Sequence, residues 1–246
     1  MGRNFIKLLF IVFILSSCSS DHNWGWYIIN PFLDEGSTNI AFLLSGLYTT
    51  IFISIISIFF SLILGFFFAL PGISSNKYLL LLNRIYVEVI RSIPLLVLLL
   101  WVYYGLPVVV GLSLGPFTAG IVSLALSDSA FEAEIFRGGI QSVHIGQHEA
   151  SKSLGLSNWQ RMRLIILPQA LRLILPPIGN QFVYIVKMSS LVSIIGLADL
   201  TRKANEFVVS VYRPLEIYSF LILEYLVLVL IISYFVRLLE KKLNKY

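Results

Sequence analysis

The sequence predicts an all-α integral membrane protein with five transmembrane helices, its N-terminus outside and its C-terminus cytoplasmic. Three observations carry that prediction. Hydrophobic residues make up 57% of the 246 positions and charged residues only 13%, about half the charge of an ordinary soluble domain. Five stretches are long and apolar enough to cross about 30 Å of hydrocarbon as helices. The basic residues gather in alternate loops, as the positive-inside rule requires. This composition excludes a water-soluble enzyme and a disordered chain. The net charge of +5 then reports loop placement rather than polyanion binding. A single cysteine leaves no internal disulfide framework and no metal cluster.

The first span is expected over residues 40–70, which carry no charge. The second lies within 85–109, with Glu88 and Arg91 near its start and Pro94 as a kink. The third is expected over 116–136, the fourth over 173–195 with Pro176 and Pro177 near its start, and the fifth over 215–236. Helices are required because a lipid-exposed backbone must satisfy its own hydrogen bonds, and these runs are too long for barrel strands. One set of loops holds Lys77, Arg84, Arg137, Lys152, Arg161, Arg163, Arg172, Arg237, Lys241, Lys242 and Lys245, and the alternate set only Arg202, Lys203 and Arg213. That asymmetry places the 138–172 loop and the C-terminal tail in the cytoplasm. Trp24, Trp26 and Tyr27 read as an external interfacial anchor.

Residues 1–18 form a separate segment. Arg3 and Lys7 precede the apolar run Leu8–Leu15, too short to span but suited to the core of a secretory signal. Leu15-Ser16-Ser17-Cys18 resembles a bacterial lipoprotein cleavage site, which would leave Cys18 lipidated; an uncleaved extension is the alternative. Residues 19–39 follow as an external segment, and 40–246 as the membrane domain.

The 138–172 loop is long for a connection in a bundle, and such loops are usually functional. Glu149-Ala150-Ser151-Lys152-Ser153-Leu154 reads as a short helix closed by Gly155. Ser157-Asn158-Trp159-Gln160 reads as a capping box opening a second helix, with Pro168 expected to mark its end. Small Ala150 and Ser151 would let another surface approach closely.

These residues carry a family resemblance. Glu149-Ala150-Ser151, three residues, Gly155, nine residues and Ile165-Ile166-Leu167-Pro168 resembles the "EAA" loop of ABC-importer permeases, Glu-Ala-Ala-x3-Gly-x9-Ile-x-Leu-Pro. Ser151 is the one departure, and it is still small. Arg91-Ser92-Ile93-Pro94-Leu95 is similar to a further run of that family. Ala133–Val143 and Ser189–Gly196 resemble its polar-amino-acid branch, the permeases for histidine, glutamine, glutamate and aspartate. The resemblance extends over nearly all of 40–240. It implies an ABC type I importer permease fold, in which the loop docks as a coupling helix on a separate ATPase dimer. It also implies a second permease chain, identical or paralogous, an external solute-binding protein and a polar amino acid as substrate. ATP binding would draw the spans from inward-open to outward-open. The chain has no phosphate-binding loop of its own, so ATP is expected to be hydrolysed by the partner, with no cofactor bound here.

Charges inside spans are costly and mark candidate sites. Asp128 lies roughly 18 Å into the third span, and Glu132 follows one turn later on the same face, with Ser129 bordering it. Asp128 would line the substrate path and meet an ammonium group, or pair with a base such as Lys187. Lys187, with Ser189 beside it, would meet a substrate carboxylate or bridge to Glu132 or Asp128. The family usually has a polar residue where Met188 stands, which removes one such group. Glu134 and Arg137 are expected to form a lattice with Arg91, and Glu224 an interior hydrogen bond. Two other classes fit parts of the pattern. An ion-gradient-driven secondary transporter would use Asp128 and Glu132 as a proton site. A membrane-anchored helix-turn-helix regulator would read DNA through 150–164.

Overall fold

The computed structural model describes residues 24–243. The expectations for residues 1–18, including Cys18, lie outside them. Among the described residues every regular element is helical. A 3-10 turn at Trp26–Ile29 leads into α1 (Asp34–Leu44), which a short turn joins to α2 (Leu47–Gly72). α3 (Lys77–Ser92) and α4 (Leu95–Val110) follow, then α5 (Pro116–Gln141) and the short α6 (Ile145–Ser153). α7 runs through Asn158–Ile195, α8 covers Leu200–Val211 and α9 covers Pro214–Leu243.

α5 is the axis of the bundle, and α2 is its main neighbour. The reason is a stripe on α2 that hydropathy alone does not reveal. Thr50, Ser54, Ser57, Ser61, Gly65 and Ala69 recur three or four residues apart and are all buried. Small residues at this spacing let two helix backbones approach within a bilayer, where the hydrophobic effect does not drive helix against helix. A Cβ on Gly65 would collide with the Cβ of Glu132 on α5. Gly139 of α5 is similarly closed in by Ile174 of α7, and Gly179 of α7 by Val236 of α9. Two of the four buried hydroxyls in the stripe are satisfied locally: Ser54 donates to the carbonyl of Thr50 at 2.6 Å, and Thr50 to that of Gly46 at 3.2 Å.

Three helical runs are long and apolar enough to cross a membrane: Asp34–Gly72, Asn158–Ile195 and Pro214–Lys242. A fourth is the pair α3 and α4, bent by 92°. The expected kink at Pro94 is therefore a break. Ser92 ends one helix, Ile93 and Pro94 adopt extended backbone, and Leu95 begins the next. The residue before a proline is driven out of the helical region, and Pro94 then serves as the N-cap of α4. α5 is the least apolar of the five expected spans because Asp128, Glu132 and Glu134 lie on it. It is covered by the other helices instead, with twelve of its residues buried.

Two boundaries differ from expectation. Pro168 does not end a helix. It sits at the start of the segment Leu167–Met188, just after a π turn at Met162–Ile166, and the helix runs on from Asn158 into the fourth span. The wider turn relieves the clash and the missing N–H that proline brings. The 39/40 boundary falls inside α1, which runs unbroken across it. Its start is tied to α9: the Gly25 N–H donates to Glu216 Oε1 at 2.6 Å, and Asn39 donates to the Ile28 carbonyl at 2.9 Å.

Candidate functional site

The connection between α5 and α7 is built as two rigid corners. α6 begins at His144, whose Nδ1 accepts the Gly146 N–H at 3.0 Å. It ends in a Schellman closure. The Leu156 N–H donates to the Ser151 carbonyl at 3.2 Å and the Gly155 N–H to the Lys152 carbonyl at 3.0 Å, with Gly155 at φ +73°. Glycine meets that left-handed conformation at little cost. Two residues later the expected capping box is present in both directions. The Gln160 N–H donates to Ser157 Oγ at 3.3 Å, and the Ser157 N–H to Gln160 Oε1 at 2.9 Å.

The apex of this corner faces outward. Glu149, Ala150 and Gly155 are exposed, as are the large apolar groups of Leu154 and Trp159, the latter 71% accessible. Pro168 is exposed on the first turn after the π turn. Ser151 differs from the expectation of an outward-facing small residue. It is buried against its own chain, and its hydroxyl donates to the His148 carbonyl at 2.9 Å. The base is welded to the membrane helices by a cluster of Ile140 and Val143 at the end of α5 with Ile166, Ala170 and Ile174 on α7. The loop is thereby packed onto α5 and α7 together.

The second constellation lies inside the bundle. Asp128 is 2% exposed and is held by uncharged donors: Ser61 Oγ of α2 at 2.6 Å and Gln181 Nε2 of α7 at 2.9 Å. Ser129 shares a 2.5 Å hydrogen bond with the Tyr86 hydroxyl, which fixes α3 on α5. Glu132 is fully buried beside Gly65, and neither of its carboxylate oxygens has a hydrogen-bond partner among the described residues. Asp128 and Glu132 thus share the face of α5 that packs on α2, as their spacing requires. Lys187 is exposed, and among the described residues it pairs with neither acid, because it points away from the α2–α5 contact. Ser189 is buried, its hydroxyl donating to the Val186 carbonyl at 2.8 Å in its own helix.

Glu134 and Arg137 form a two-bond pair at 2.9 and 2.6 Å, and Arg91 shares one cavity with them, its charge acting on Glu134 while its guanidinium lies over the Phe131 ring, 4.7 Å from the centroid. Glu224 has the interior position expected of it, at 9% exposure, yet both its oxygens lack hydrogen-bond partners among the described residues. Reasoning from charge alone missed Ser61 and Gln181. The α2 stripe was the available sign of Ser61, since a hydroxyl repeated along one face of an apolar helix faces another helix rather than lipid.

The chain belongs to the family of binding-protein-dependent transport system inner membrane components, whose model matches residues 61–245. Over 209 residues it is 37% identical to the glutamine transport system permease protein GlnP of Escherichia coli (strain K12), covering 83% of this chain and 94% of that protein. It is 42% identical over 207 residues to the probable glutamine ABC transporter permease protein GlnM of Bacillus subtilis (strain 168), covering 84% and 95%. A crystal structure of an amino acid ABC transporter with histidines superimposes with a TM-score of 0.79 at 41% identity, covering 84% of this chain and 96% of that one. An inward-facing MetNI methionine ABC transporter shares the fold at a TM-score of 0.71 and 22% identity.

The chain is thus an inner-membrane ABC permease with the type I importer fold, a transport subunit rather than an enzyme. Nucleotide is handled by a separate ATPase, and the family works with a solute-binding protein. This sets aside the ion-gradient and DNA-reading alternatives. The second helix of the supposed reader is also the first part of a membrane span.

Proposed function

We propose that this permease moves polar amino acids inward across a bacterial inner membrane, and that Glu149–Gly155 is the element that couples it to its ATPase. The observation carrying the proposal is the geometry of the loop: an exposed apex, stiffened by a Schellman closure and a capping box, on a base shared by α5 and α7. Glu149 presents charge to the partner, Ala150 allows close approach, Gly155 sets the angle between the helices, and Pro168 follows the π turn where the loop enters the span. Ser151 acts from beneath, closing the loop onto the bundle.

The transported solute is a polar amino acid of the kind named for the glutamine and arginine permeases at 37–42% identity. A second permease chain, identical or paralogous, completes the pathway, with the N-terminal side external and the 138–172 loop cytoplasmic. ATP binding closes the ATPase dimer, and the loop pulls α5 and α7 toward the outward-open state, where the binding protein delivers its amino acid. Asp128 and Glu132, with Ser129 beside them, form the polar centre of the pathway. Lys187 and Ser189 lie farther along it on α7. No cofactor is held by this chain, and ATP is bound and hydrolysed by the partner.

The test is Glu149→Arg in proteoliposomes holding permease, ATPase and binding protein. ATP-driven uptake of glutamine or arginine is expected to collapse, with fewer ATPase subunits retained on purification and normal permease abundance. Uptake and ATPase retention equal to the parent protein would remove Glu149 from coupling.

A further inference from the structure

One large cavity has no place in the transport cycle described above. It is a groove of about 660 Å³ on the outside of the bundle, between α2, α7 and α9. Its walls are almost wholly apolar, formed by Ile55, Ile58, Leu62, Leu175, Phe182 and Leu239, and the Gly179–Val236 contact draws α7 and α9 together there. Polar groups occur at one end only, where Arg172, Glu240 and Lys242 line the mouth. The helices that form it are those long and apolar enough to cross a membrane. In the most apolar stretch of α9 only 11% of residues are buried within the bundle, and in that of the α1–α2 run 28%.

We infer that this groove is a binding site for an anionic phospholipid, an acyl chain lying along its apolar walls and the headgroup phosphate held by Arg172 and Lys242. The charge pattern argues for this occupant. Arg172 and Lys242 are both exposed, and neither has an acidic partner within 4 Å among the described residues. With Glu240 the mouth carries a net single positive charge, which favours a phosphate of net negative charge over a zwitterionic headgroup. Guanidinium donates to phosphate oxygens in a two-bond fork, and the flexible ammonium adds a point charge from the neighbouring helix. The mouth lies on the side where most basic residues gather, which in the proposed orientation is the inner leaflet. The site does not depend on what is transported: loss of coupling in the Glu149→Arg variant and loss of lipid retention are separate readouts.

The experiment uses the full-length chain in its membrane complex, reconstituted in equal mixtures of phosphatidylglycerol and phosphatidylcholine, then stripped in detergent and weighed by native mass spectrometry. The parent complex is expected to retain phosphatidylglycerol preferentially. Arg172→Gln and Lys242→Gln should each reduce that preference about five-fold, the effect of one cation near an anionic headgroup. Ile58→Trp, which fills the groove and leaves the charges, should reduce retention of both lipids. Equal retention of the two lipids by the parent, or an undiminished preference in both charge variants, overturns the site. Disulfide cross-linking between Ile58→Cys in one copy and Leu239→Cys in another also overturns it, because a second permease chain would then occupy the groove.

Discussion

Asp128 shows how a buried charge in this bundle is tolerated. Its two oxygens take one hydroxyl from α2 and one amide from α7, so a single side chain ties together α2, α5 and α7. In hydrocarbon an unpaired charge is among the costliest groups, and hydrogen bonds to the charged form offset part of that cost. Asp128→Asn retains the acceptor for Gln181, and the rotatable Ser61 hydroxyl can accept from the new amide, so the fold should persist. Uptake should fall by about ten-fold or more, measured with binding protein, ATPase and ATP present, because the negative charge is gone. Unchanged kinetics would take Asp128 out of the pathway. Gly65 carries a second prediction. A Cβ there meets the Cβ of Glu132, with the Ser129 carbonyl oxygen at 3.0 Å and the Ala133 nitrogen at 3.1 Å. Gly65→Ala should cost about 1–3 kcal/mol in thermal unfolding, and Glu132→Ala should not rescue it, since α5 backbone shares the clash.

At the scale of elements, what was legible depended on whether local chemistry or a neighbour decides the outcome. The Gly155 closure and the Ser157–Gln160 box are local, and both appear where their residue types place them. Pro94 and Pro168 are the same residue with opposite results. Pro94 breaks the chain because Ile93 before it turns to extended backbone, whereas a π turn carries α7 past Pro168. The residue type alone does not separate those outcomes. Lys187 was drawn toward Asp128 on charge alone, but packing turned it outward and brought uncharged Ser61 and Gln181 to the acid.

α8 provides the pH-dependent prediction at this scale. Asp199 is its N-cap, accepting the Arg202 N–H at 2.8 Å, while Gly46 is pressed against the Asp199 backbone and Thr50 Oγ1 accepts the Leu200 N–H at 3.2 Å. Burial raises its carboxyl from 3.8 to about 6, against the lowering effect of the Arg202 N–H. The folded state therefore holds this proton more tightly than the unfolded chain does. The resulting stabilisation is complete below about pH 4 and is lost as the pH rises through about 6. Asp199→Asn keeps the cap and stays neutral, so it should flatten the pH dependence across that window and be at least as stable at pH 7. Asp199→Ala should lose about 0.5–2 kcal/mol through the missing cap. A parent-like slope in the Asn variant would assign the pH dependence to another group.

For the whole molecule, apolar length and central position are inversely related. The three longest apolar runs, Asp34–Gly72, Asn158–Ile195 and Pro214–Lys242, bury only 28%, 33% and 11% of their most apolar stretches within the chain. α5 carries the acids and is the best covered, so the helix least able to face hydrocarbon is the one the others surround. In the proposed five-span arrangement α5 crosses the membrane too, since its end at Gln141 leads into the 138–172 loop while the start of α8 lies beyond the far end of α7. The proposed orientation rests on charge: the loop and the C-terminal tail carry the basic excess, which sets α8 on the opposite face. Cysteines at Trp159 and Val209, both exposed, test it in intact cells when introduced with the native Cys18 replaced by Ser. Trp159→Cys should react with a membrane-impermeant maleimide only after the membrane is opened, and Val209→Cys should react in intact cells. The reverse pattern would invert the chain. Labelling of both from outside would mean that α5 does not separate the two faces and that the five-span arrangement is wrong.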